Sequence, residues 1–392
     1  MTRPSLLPRP VRVPAALLAA LWLSAAGETR ATETGLRKVE DLTIYADARF
    51  HCAFPSLVRR PDGELLVAFR RAPDRRLLGE KGVLHVDPNS YLVLVRSRDD
   101  GRTWTKEPQL IYSHPFGGSQ DPCMVQLSDQ SIVCTSYGWA PVTADALAKL
   151  PAGTMPHYSK RFVFMGGYLV RSVDGGNTWS APIFPPAAAG ETRVDLVGRP
   201  LPAYNRGAMC EGRDGRLYWV VAVRGATQLM VSGDKGATWQ DAGVVARDAK
   251  ATFGETSLYE TPKGDLVAFM RTGGLDNRLA IARSSDRGRT FQPWVDAGFQ
   301  GLPFYALRLP DQRVLLVYGY RTKPFGIRAR VLDAECTNAA AASEIVLRDD
   351  GGTADLGYPW AGVIGKNRVL VVYYFNQADG PRTIDGTVLQ LE

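Results

Sequence analysis

A six-bladed, all-β propeller is predicted by two interleaved repeats and by the near absence of helix-period apolar patterning. The first repeat reads S-x-D-x-G-x-T-W, or its Phe variant. Its copies start at Ser97, Ser172, Ser232 and Ser284 and end on Trp104, Trp179, Trp239 and Phe291. Each copy reads as a hairpin turn. The Asp accepts nearby backbone N–H groups, the Gly takes a positive φ, and the aromatic residue returns to the core as the next strand begins. The second repeat is a strand, a short turn and an apolar strand. Its turns fall at Asp62-Gly63, Asp129-Gln130, Asp214-Gly215, Lys263-Gly264, Asp311-Gln312 and Lys366-Asn367, which means six units. In the middle of the chain the two hairpins alternate, giving four antiparallel strands per unit at roughly 50 to 85 residues, as propeller blades require. A sandwich also has short strands but lacks this paired periodicity.

Taken in order, the chain opens with Arg3, Arg9 and Arg12, an apolar run from Val13 to Leu23, and small residues at Ser24, Ala25 and Ala26. That pattern predicts a signal peptide over 1–26, with secretion or a periplasmic location. The apolar run is too short for a permanent membrane anchor. A short segment over 27–40 then leads into a single propeller domain over 41–392. The best helix candidate, 144–150, lies inside a long connection between Gly138 and Arg161 that holds Pro141, Pro151 and Pro156. An eroded fifth copy of the first repeat, over 331–338, keeps Asp333 and Thr337 but loses the Gly and the aromatic residue.

Removing the leader's three arginines lowers the formal charge from +7 to about +4, too mild for a nucleic-acid partner. The five cysteines, Cys52, Cys123, Cys134, Cys210 and Cys336, contain no C-x-x-C pair, so a metal site is not expected. An oxidising compartment permits one or two disulfides, and the odd count leaves at least one thiol outside them. Without a phosphate loop, nucleotide fingerprint or Ser-His-Asp signature, no cofactor is expected.

In a propeller the innermost strands run along the central axis, so residues at their corresponding ends converge. The polar residues there are His51, Asp121, Asn205 with Arg206, Glu255, and Asp355 with Tyr358. Any of them has a structural reading, since axial polar groups also satisfy one another. Glu255 opens the fourth hairpin and Arg271 ends its second strand, shortly before the repeat at Ser284. Tyr358-Pro359 leads the last blade, whose next strand ends in Tyr373-Tyr374.

On those residues and the repeat, the chain resembles the sialidase (neuraminidase) superfamily of BNR or Asp-box propellers, as a divergent bacterial-type member. The resemblance implies an exo-glycosidase that removes terminal acidic sugars from glycans by a retaining mechanism with a tyrosine nucleophile. It assigns Tyr358 as nucleophile, Glu255 as the base that takes its proton, and Asp87 as acid/base. Arg271 and Arg328 are assigned to the substrate carboxylate, with Arg321 and Arg330 as alternatives to Arg328. In one respect the sequence departs from the family. Where sialidases begin the first blade with Arg-Ile-Pro, this chain has Ala53-Phe54-Pro55, so one carboxylate-binding arginine is missing. Arg70 and His51 are the candidates to replace it, and His85, Asp121 and Arg206 complete the expected substrate contacts. Two other functions fit the pattern. One is a uronic-acid lyase using His51 or His85 with Tyr358, and the other is a non-catalytic glycan-binding propeller.

Overall fold

The computed structural model describes residues 35–80, 85–157, 160–378 and 380–392. The leader expected over 1–26 lies outside them. The described residues form six antiparallel sheets arranged as a six-bladed propeller. Blade one is built from Phe50–Arg59, Leu65–Pro73, Tyr91–Ser97 and Gln109–Tyr112. The innermost strands of blades three to six are Cys210–Glu211, Thr252–Glu260, Phe304–Arg308 and Gly357–Ile364. In blade two the inner position is split between Gly118–Ser119 and Cys123–Gln126, both paired to Ile132–Pro141.

Leu36–Tyr45 supplies the outer strand of the last blade, pairing antiparallel from Leu36↔Leu391 to Tyr45↔Ile384. The propeller strands therefore begin ahead of residue 41. The first and last described strands are thereby paired in one sheet, which closes the ring of blades.

Second strands such as Leu65–Pro73 read as continuous apolar runs because each lies between two neighbouring blades and buries both faces. Leu65, Leu66, Val67, Ala68 and Phe69 are all fully buried. Trp219 of blade three packs on Trp239, the aromatic end of a repeat, with ring centroids 5.5 Å apart.

The repeat turns have the hydrogen bonds their sequence predicts. Asp99 Oδ1 accepts from the Thr103 N–H at 2.9 Å, Asp99 Oδ2 from the Thr103 hydroxyl at 2.6 Å, and Ser97 Oγ from the Gly101 N–H at 2.9 Å. Asp174, Asp234 and Asp286 repeat the set. The eroded copy keeps the aspartate–threonine part, with Asp333 accepting from both the Thr337 N–H and hydroxyl. The helix is a single turn, Ala144–Leu147, capped by the Thr143 side chain. All five cysteines are free thiols, so neither of the permitted disulfides is formed.

Candidate active site

The inner strands of blades one, four and six share one irregularity. Their register with the second strand slips between Ala53 and Ser56, between Gly254 and Ser257, and between Gly357 and Trp360. The residue just inside each slip, Phe54, Glu255 and Tyr358, has a positive φ of 60°, 42° and 53° respectively. Side chains this large avoid that region, at a cost on the order of 1 to 3 kcal/mol each. A bulge re-aims a side chain out of the normal alternation, and here three bulges aim three side chains at one point.

Tyr358 Oη donates to Glu255 Oε1 at 2.5 Å, and the Tyr358 and Phe54 rings meet edge-on with centroids 4.8 Å apart. Opposite the residues before the bulges, the second strands contribute Arg70, Arg271 and Tyr374. Arg271 Nη1 donates to Glu255 Oε2 at 2.6 Å and to Tyr358 Oη at 3.3 Å, so one guanidinium bridges the pair. Arg321 lies 5.2 Å from the Tyr358 ring centroid and donates to the Leu356 carbonyl at 2.9 Å and to Tyr374 Oη at 2.8 Å.

Behind this group Asp355 collects donors from two strands and from Arg382, just ahead of a third. Its Oδ1 accepts from Tyr374 Oη at 2.9 Å, and its Oδ2 from Arg382 Nε at 3.0 Å and His51 Nε2 at 3.4 Å. His85 Nδ1 is 3.8 Å from Asp355 Oδ1, and its ring meets the Phe54 ring edge-on at 4.8 Å. Across the axis, Asp121 Oδ2 accepts from Tyr137 Oη at 2.7 Å, while the buried Oδ1 has no hydrogen-bond partner.

The electrostatics follow from this packing. Burial, reinforced by the negative charge of Glu255, pushes the Tyr358 phenol well above its ordinary range, so it is a neutral donor. Burial would also raise the Glu255 carboxyl. The charge of Arg271 and hydrogen bonds from Tyr358 and Arg271 outweigh burial and hold Glu255 below the usual carboxylate range. The same balance, with His51 and His85 as partners, holds Asp355 far down. Burial lowers His51 to about 4, so it is neutral near pH 7. Asp121 is raised by burial, against the opposing charge of Arg206.

The structure thus brings together Tyr358, Glu255, Arg271, His51, His85 and Asp121, but it places four of the expected residues in other settings. Arg328 is held by the carbonyls of Ile327, Pro324 and Arg348 inside blade five, and Arg321 stands at the axis in its place. Arg321 directly follows the second strand Val314–Tyr320, where Arg271 and Tyr374 sit in their blades, whereas Arg328 belongs to the third strand. Asp87 is clamped by Arg75 at 2.6 and 3.0 Å and accepts from the Asn89 N–H at 2.7 Å. At 1% exposure it presents no oxygen to a ligand. Arg206 lies between the Tyr358 and Trp360 rings and donates to the carbonyls of Pro55 and Tyr358, a buried tie between blades. Arg70 is fully buried and sits 3.5 Å from His51 Nδ1, so it does not take the place of the absent first-blade arginine at the opening. Phe54 and Tyr137 are site residues that the polar inventory missed. Position signals both, since each occupies the same strand end as a charged residue elsewhere in the ring. Among the described residues no group of three or more His, Cys, Asp or Glu is arranged to hold a metal ion.

No protein-family model matches the chain, and no curated protein matches it in sequence. A solved structure of a protein of unknown function from Dyadobacter fermentans is 56% identical over 91% of this chain and 100% of its own, with a TM-score of 0.89. The chain belongs to that protein's family. Its propeller is also sialidase-like. A Streptococcus pneumoniae sialidase superposes with a TM-score of 0.59 at 14% identity, covering 89% of this chain and 70% of its own. For a Trypanosoma rangeli sialidase the TM-score is 0.54 at 16% identity, covering 90% and 59%. For a leech intramolecular trans-sialidase it is 0.55 at 14%, covering 91% and 70%. At these identities the likeness of this sialidase-like propeller to the sialidases is one of fold.

Proposed function

We propose that this protein is a glycoside hydrolase that removes a terminal, carboxylate-bearing sugar from glycans by a retaining mechanism with Tyr358 as nucleophile. The observation that carries this reading is the 2.5 Å contact between Tyr358 Oη and Glu255, bridged by Arg271, at the end of the propeller axis. A neutral phenol approaches an anomeric carbon beside a substrate carboxylate more easily than a second carboxylate does. Glu255, ionised and already accepting the phenol's hydrogen bond, takes the proton as the oxygen–carbon bond forms. The guanidinium of Arg271 offsets the negative charge that develops on the phenol oxygen.

Arg271 and Arg321 are the two guanidinium groups left to grip the carboxylate. Without the arginine that sialidases have at Ala53, the grip loses roughly 1.5 to 3 kcal/mol of charge-assisted bonding, which favours an acidic sugar held differently from sialic acid. Outside the cytoplasm, where the leader would take it, the enzyme meets extracellular or periplasmic glycans.

The test is product release from a panel of 4-methylumbelliferyl sialosides and uronides and of anionic oligosaccharides, with ultraviolet absorbance followed for unsaturated products. Hydrolysis that falls on the order of 100-fold or more in Tyr358→Phe, with ligand binding retained, supports the proposal. Unsaturated products would mean a uronate lyase, and binding without turnover would mean a glycan-binding propeller.

A further inference from the structure

We infer that His85, oriented by Asp355, is the proton-transfer residue of this site, acting on the glycosidic oxygen. The inference rests on the glycosidase reading above. A retaining reaction needs a group that protonates the leaving oxygen and later deprotonates the incoming water, and the carboxylate expected to do so, Asp87, is closed off by Arg75.

His85 satisfies the requirement on position. Its side chain is 31% exposed, and Asp355 at 29%, Arg271 at 29% and Glu255 at 18% are likewise partly open to solvent. His85 and Tyr358 lie on one aromatic support, each ring 4.8 Å from the Phe54 ring. Nδ1 faces Asp355 at 3.8 Å, which puts Nε2 on the side of the ring away from that carboxylate. Asp355 is in turn fixed by Tyr374, Arg382 and His51, so the imidazole is steered by a rigid partner. His51 shares that carboxylate but is buried, and its lowered pKa keeps it neutral, leaving the charge of Asp355 to His85 and Arg382. Among the described residues, Asp121 of blade two and His157 of the long connection also interact electrostatically with His85.

In the first half of the reaction the His85 imidazolium gives its Nε2 proton to the glycosidic oxygen as the bond from that oxygen to the anomeric carbon breaks. The bond from Tyr358 Oη to the same carbon forms, and the phenol proton passes to Glu255. In the second half neutral His85 takes a proton from water as the water oxygen bonds the anomeric carbon. The Tyr358 bond breaks and Glu255 returns its proton. One imidazole serves both halves, as proton donor in the first and acceptor in the second.

The experiment compares wild type, His85→Gln and Asp121→Asn on the 4-methylumbelliferyl and methyl glycosides of whichever sugar in the panel is cleaved. The expected result is that kcat of His85→Gln falls on the order of 100-fold or more on the methyl glycoside, whose leaving group needs a proton, but less than about 10-fold on the other. Equal losses on both substrates would make His85 merely structural and overturn the inference. So would the leaving-group dependence appearing in Asp121→Asn instead. A wild type that hydrolyses neither glycoside removes the glycosidase reading itself, and this inference with it.

Discussion

Replacing His51 with glutamine should remove a defined share of the protein's acid sensitivity. His51 is 2% exposed, receives Arg70 through Nδ1 and donates through Nε2 to Asp355, and its folded-state pKa falls from 6.5 to about 4. The unfolded chain protonates this imidazole at about pH 6.5, and the folded protein resists protonation until about pH 4. Between those values the unfolded state binds more protons, so stability falls as pH falls. The drop from 6.5 to about 4 corresponds to about 3 kcal/mol, fully present above pH 6.5 and lost on acidification to pH 4. Glutamine keeps a donor for Asp355 and an acceptor for Arg70 but does not titrate. Carboxylates that also protonate near pH 4 do so in both proteins and cancel in the comparison. Urea unfolding of each protein at several pH values between 7 and 4 measures the difference directly. Wild type should lose about 3 kcal/mol more than the variant over that range, and parallel curves would falsify the assignment of a neutral, buried His51.

Four other outcomes follow from named contacts. Arg206→Met strips hydrogen bonds from the buried carbonyls of Pro55 and Tyr358 and should cost roughly 2 to 5 kcal/mol in denaturant unfolding. Trp219→Ala empties a fully buried site against Trp239 and should cost about 3 to 5 kcal/mol by the same measurement. Asp234→Ala removes the hydrogen bonds to Thr238 at an exposed turn, so its cost should be smaller, about 1 to 2 kcal/mol. Arg271→Lys cannot donate in parallel to Glu255 and a substrate carboxylate, and kcat/KM on the cleaved substrate should drop about 10-fold or more. An unchanged value would take Arg271 out of the binding step.

The propeller was legible because its signals are local. A hairpin turn with Ser, Asp, Gly, Thr and Trp at fixed offsets works through hydrogen bonds within eight residues, so four copies, and even the remnant at Asp333, report their own geometry. The six short hairpins were legible for the same reason. Glu255 and Tyr358 were among the polar residues at converging strand ends, and the resemblance to sialidases added Arg271; their contacts lie at 2.5, 2.6 and 3.3 Å.

What the sequence alone determined was therefore everything repeated at short range: the all-β class, the blade count, and the strand ends from which a site is drawn. Only the tertiary structure decided which of those ends meet and in what state. Nothing near Asp87 in sequence reveals that Arg75 closes it, because that pairing depends on how a loop folds back. Arg321 and Arg328 are both arginines beside apolar strands, and which one reaches the axis depends on whether its strand is second or third in the blade. The bulges at Phe54, Glu255 and Tyr358 are one-residue slips in pairing, set by the closing of six sheets around one axis. The charge states of His51, Glu255 and Asp355 depend on burial beside partners up to 304 residues away in the chain, and that exists only once the ring has closed.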